Sequence, residues 1–85
     1  MKILIRNFGF NMQDRDLRDF FAPYGKVSSA RVIIDKLTGK ARGFGYVIMQ
    51  DAIAARKAIK ALNEMSIEGN IITVAEADKT RELAG

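Results

Sequence analysis

Apolar residues along the chain switch between two spacings, every second position and every third or fourth, and the switches mark out its elements. Residues 2–6, Lys-Ile-Leu-Ile-Arg, form a short β-branched-rich run stopped by residues 7–11 with Gly9, which predicts a strand whose two faces differ in polarity. From Asp14 to Tyr24 the apolar Leu17, Phe20, Phe21 and Tyr24 fall at i, i+3, i+4 and i+7, while Asp14, Arg15, Arg18 and Asp19 take the other faces. That stripe predicts a helix, with Asn11 or Gln13 as its cap, acidic residues in its first turn, and Pro23 and Gly25 marking its end.

Residues 27–34 form a second β-rich run, and the polar residues 35–40 after it read as a long hairpin loop. In the third strand, residues 43–49, Gly43, Gly45, Val47 and Met49 point one way and Phe44, Tyr46 and Ile48 the other. A second helix follows, capped by Asp51, with Ala55, Ala58, Ile59 and Leu62 on its buried stripe and Arg56, Lys57 and Lys60 outside it. A turn region with Gly69 leads to a last strand over residues 71–75. The order β, α, β, β, α, β predicts an α+β, ferredoxin-like sandwich: a four-stranded antiparallel sheet with two helices on one face. The other face is left to water or to a partner. Residues 1–77 are expected to make this one domain, and the charged residues 78–85, which lack apolar periodicity, a short C-terminal tail.

Composition narrows the function classes. With 48% hydrophobic residues, five Phe and two Tyr, the 85 residues are apolar enough to fold. The absence of Cys and His removes disulfides, thiol nucleophiles, the commonest metal ligands and the usual neutral-pH proton shuttle, so neither an enzyme nor a cofactor is expected. Met1 and Lys2 precede an apolar run of only Ile3 to Ile5, far below the roughly 7 to 15 residues of a signal-peptide core or the roughly 20 of a membrane span. An intracellular, cytoplasmic monomer that does not enter a membrane is expected on that ground. The 14 Lys and Arg against 10 Asp and Glu, net +4, favour an anionic partner, although many small soluble proteins carry a few extra lysines.

The informative stretch is Arg42-Gly43-Phe44-Gly45-Tyr46-Val47-Ile48-Met49, where aromatics alternate with glycines that have no side chain to pack. On a two-faced sheet this makes sense. Gly43 and Gly45 would face inward and let the helices approach, while Phe44 and Tyr46 stand on the other face as platforms for bases, with Arg42 beside them to meet a phosphate. Periodicity alone leaves open the ordinary alternative that both rings belong to the core.

RGFGYVIM resembles the octamer ribonucleoprotein motif of the RNA-recognition-motif family at its basic first position, both glycines, both central aromatics and the Val. ILIRNF, residues 3–8, resembles the family's shorter hexamer on the first strand, and the helix stripes and turns follow in the family's order. The resemblance implies single-stranded RNA binding, with Phe44 and Tyr46 as base or sugar platforms, Arg42 as a phosphate contact and Leu4 as the third site. Leu4 departs from the aromatic usual there, and Met49 replaces the last aromatic of the octamer at an inward position. Strand alternation adds Lys2, Arg6, Arg31 and Ile33 to the open face, and Lys36 and Lys40 sit on the loop beside it. Glu76 and Asp78 count against a uniformly basic face, and Arg56, Lys57 and Lys60 read as solvated charges.

Two other classes share the fold. A protein-peptide interaction module would use the helical side or an altered sheet face, and Leu4 keeps that reading open. A small enzyme of ferredoxin-like fold would need a phosphate cradle that no glycine-rich loop here supplies. Single-stranded DNA stays open as a ligand, because a ring platform does not read the 2′-hydroxyl.

Overall fold

The computed structural model describes residues 1–9, 12–34, 37–39 and 41–77, with the side chains of Ala41 and Arg42 outside that description. The elements run β1 (Lys2–Arg6), α1 (Asp14–Phe21), a 3-10 turn (Ala22–Tyr24), β2 (Ser29–Ile34), β3 (Ala41–Ile48), α2 (Ala52–Leu62), β4 (Ser66–Ile67), β5 (Asn70–Ile71) and β6 (Thr73–Glu76). Four strands form one antiparallel sheet in the order β2-β3-β1-β6, so the two motif-bearing strands are central. This is the ferredoxin-like architecture expected from the spacing.

Both helices pack on the same face. The alternating Ile3 and Ile5, Ala30 and Val32, Val47 and Val74 turn inward to meet Leu17 and Phe21 of α1 and Ala55, Ala58 and Leu62 of α2. Met49 is fully buried among them, where an unbranched thioether fills an irregular gap as well as a ring would. Helix α1 starts at Gln13, whose N–H donates to the Asp16 carboxylate at 2.8 Å. Helix α2 starts at Asp51, whose carboxylate accepts from the N–H groups of Ile53 and Ala54 at 2.9 and 3.2 Å. Removing that cap in Asp51→Ala is expected to cost about 1 kcal/mol, read as a lower urea midpoint at unchanged slope.

Two further side chains reach the sheet's edges. Asp14 accepts from the Val32 N–H on the outer side of β2 at 2.7 Å, and Asn63 accepts from the Val74 N–H on the outer side of β6 at 2.9 Å.

Three sequence expectations change. Residue 71 belongs to a two-stranded hairpin with Ser66 and Ile67, and the last sheet strand runs Thr73–Glu76 instead of 71–75. The hairpin turns at Glu68 and Gly69, with φ of +50° and +85°, the pair of positive values a tight hairpin demands. Glu is a poor sequence signal for that conformation, and two-residue strands are too short to show a period. Glycine roles also divide. A Cβ on Gly45 would lie 2.4 Å from the Arg31 carbonyl oxygen and 3.0 Å from Leu17 Cδ1, so close approach of strand and helix requires glycine there. Gly43 has open space around its Cα and is needed for its backbone, at φ +86°, where β3 turns its carbonyl to the N–H groups of both Asn7 and Phe8. Finally, Glu76 pairs with Ile3, a core residue, so it hangs from the helical side of the edge and not the open face. Asn11, Lys36, Lys40 and residues 78–85, Asp78 among them, lie outside the described residues.

Candidate nucleic-acid interface

Directly opposed residues of antiparallel strands share a face, so the register assembles the open side row by row. One row crosses all four strands: Arg31, Tyr46, Leu4 and Ala75. The next holds Phe44, Arg6 and Thr73, and the row on the other side Ser29, Ile48 and Lys2. Phe44 and Tyr46 therefore stand two residues apart on β3, each half-buried, with a cation in a neighbouring strand: Arg6 opposite Phe44, Arg31 opposite Tyr46. No helix covers this side. The apolar floor of rings, Leu4 and Ile48 keeps its upper surface in solvent.

Lys2, Arg6 and Arg31 share the open face as the sequence suggested, with two refinements. Lys2 lies over the Tyr46 ring, its Nζ 4.5 Å from the centroid. A cation on an exposed ring face gains about 0.5 to 1 kcal/mol, so a group that stacks on that face must displace the ammonium. Arg31 leans round the sheet edge, its Nη1 3.9 Å from Asp14 Oδ2, with both side chains more than half exposed. Such a pair is worth less than about 1 kcal/mol and is readily exchanged. Ile33 is half-buried beside a register shift between Val32 and Ile34, which detaches it from the regular rows. Arg42 occupies β3 two residues before Phe44, with its side chain outside the described residues. Lys40 has no described position. With Glu76 assigned to the other side, no acidic residue of a described strand shares a row with the rings.

Sequence reading missed Thr73 and Ala75, which complete two rows on β6. Alternation around the buried Val74 carries that information, but only once the strand's true limits are known.

These features recur in known proteins. A sequence model of the RNA recognition motif matches residues 3–73. The chain belongs to that family. This RNA recognition motif is 38% identical over 77 residues to the mitochondrial glycine-rich RNA-binding protein 3 of Arabidopsis thaliana, a match covering 91% of the chain and 25% of the relative. The chain spans less than half the length of the curated relatives it matches. Among solved structures, it superposes on RNA binding protein PG1 with a TM-score of 0.87 and 42% identity, covering 91% of this chain and 93% of that one. A Sex-lethal protein/RNA complex matches with a TM-score of 0.85 at 25% identity, over 91% of this chain and 46% of the other.

The motif's departure at Leu4 is testable on this geometry. Leu4 sits between the Tyr46 ring and the small Ala75, which leaves room for a larger side chain on the row. On the reading that bases stack on Phe44 and Tyr46, Leu4→Phe is expected to tighten binding of single-stranded RNA by about 1 to 2 kcal/mol, roughly five- to thirtyfold, in a fluorescence anisotropy titration.

Proposed function

We propose that this domain binds single-stranded RNA on the open face of its sheet, stacking bases on Phe44 and Tyr46 and meeting phosphates with Lys2, Arg6, Arg31 and Arg42. One observation carries the reading: the register sets two rings on a central, helix-free strand face and places a cation across from each of them. Family membership supports it, as do the RNA-binding names of the relatives and a neighbour solved with RNA. Leu4 and the flanking Ile48 add apolar contact to the base faces. Backbone contacts come from side chains at the rim, so grip depends little on base identity and strongly on salt.

Stacking needs unpaired bases, and the flat face offers nothing shaped to a duplex groove. Titrating labelled single-stranded and duplex RNA pools at two salt concentrations tests this. Tighter binding of the single strand, weakening with salt by a log-log slope of about 0.7 for each phosphate met, is the expected result. Equal affinity for both forms, or no binding to either, sinks the proposal. Single-stranded DNA in parallel measures how much the 2′-hydroxyl contributes.

A further inference from the structure

Beside the open face, where β2 meets α1, lies a groove of about 400 Å³. Its lining includes three arginines, Arg15 and Arg18 one helical turn apart on α1 and Arg31 from β2, together with Ser28 and Ser29. Asp14 is the one acidic residue in the lining, and its carboxylate is already engaged by the Val32 N–H at 2.7 Å and by Arg31 at 3.9 Å. Asp16, the next acid along the helix, accepts the Gln13 N–H and does not line the groove. Ala30 has the same strand phase as Val32, whose N–H points off the free edge, so its amide also faces outward along this wall. The groove thus presents forked cationic donors, hydroxyls and backbone, the set that binds phosphate oxygens.

We propose that this groove takes phosphates of the RNA strand after it leaves the sheet across β2, extending the binding site beyond the rings. The inference rests on the reading of the open face as an RNA site. Two observations join the places. Arg31 belongs to both: it opposes Tyr46 in the register and lines the groove. Ser29 does the same, opposite Ile48 on the sheet and in the groove wall. Neighbouring strands are about 4.8 Å apart, so a chain stepping outward from the Tyr46 platform crosses β2 before it reaches the groove. A protein partner is a poorer fit, because interfaces with proteins centre on aromatic or aliphatic anchors and Ala30 is the only apolar residue of the lining. Exchange of the Arg31–Asp14 pair for an Arg31–phosphate pair frees the guanidinium for bidentate contact.

The test compares RNA pools of about 4 nucleotides, enough for the sheet, and about 10 nucleotides, enough to reach past β2. Arg15→Gln/Arg18→Gln is expected to bind the longer pool about tenfold more weakly, with a log-log salt slope shallower by about 1.4 for two lost phosphates, and to bind the shorter pool as wild type does. Arg56→Gln/Lys57→Gln, which removes the same charge from α2, should leave both affinities within about twofold. An equal loss on both pools, an equal loss in the α2 control, or no loss on the longer pool overturns the groove. Phe44→Ala/Tyr46→Ala in the same titration separates the two readings. If that variant binds as wild type, the RNA site on the sheet fails and the groove proposal with it; if binding needs the rings but not Arg15 and Arg18, the groove alone fails. Amide signals of Ser28 to Arg31 that move with poly-glutamate and not with the longer RNA would assign the groove to an acidic protein and overturn the proposal.

Discussion

Phe44→Ala/Tyr46→Ala is expected to bind single-stranded RNA at least about thirtyfold more weakly than wild type, since each lost ring removes about 1 to 3 kcal/mol of stacking. Both rings lie on β3, partly exposed on the open face, and the core beneath is built by Val47, Gly45 and Met49 on the other phase. Truncation therefore empties no cavity, and far-ultraviolet circular dichroism should be unchanged. Retained affinity within about threefold would mean that the rings are not where bases bind.

Gly45→Val is expected to lower stability by about 3 kcal/mol or more, by a different route. Its Cβ would meet two backbone atoms of β2, the Arg31 oxygen at 2.4 Å and Val32 Cα at 3.1 Å, besides Leu17 Cδ1 at 3.0 Å. A flexible side chain can yield, but a paired strand cannot without giving up its register. For a domain of this size that loss is a fall in melting temperature of roughly 12 to 24 °C by calorimetry. Gly43→Ala makes the contrast. Nothing stands near its Cα, so the cost is that of holding an L-residue at φ +86°, about 1 to 2 kcal/mol, and Gly43→Asn should recover part of it. A loss at Gly45 no larger than that at Gly43 would show that close approach does not govern the Gly45 position.

The two glycines also show what was legible in the sequence. Alternation turned both Gly43 and Gly45 inward; a Cβ at Gly45 does meet the packed interior but one at Gly43 meets open space, and no spacing rule distinguishes a glycine needed for room from one needed for a positive φ. Strands and helices with several turns of apolar period, such as Lys2–Arg6 and Ala52–Leu62, were readable nearly to the residue because burial repeats along them. The chain between α2 and β6 was not, since a hairpin of two-residue strands has no period and its turn uses Glu68 in the left-handed region. The misplacement of Glu76 follows from that: an error in where β6 lies puts its side chains on the wrong face. That Phe44, Tyr46, Leu4, Arg6 and Lys2 share one face was legible, because they lie on the two strands with the clearest pattern. The groove beside β2 was not, because Arg15 and Arg18 look like solvated charges until the fold brings them to the same groove as Arg31.

A sheet that keeps one face bare also has two outer strands, each a row of amide groups ready to template another chain. Here each outer strand is blocked by one side chain: Asp14 holds the Val32 N–H of β2, and Asn63 holds the Val74 N–H of β6. Neither blocker uses the bare face, so a platform of exposed rings and aliphatics coexists with edges that resist stacking into fibrils. An incoming strand would have to evict a carboxylate or an amide from a satisfied hydrogen bond before it could pair, and the flat face alone gives it no backbone to copy. Stickiness toward bases is thereby kept separate from stickiness toward other copies of the chain.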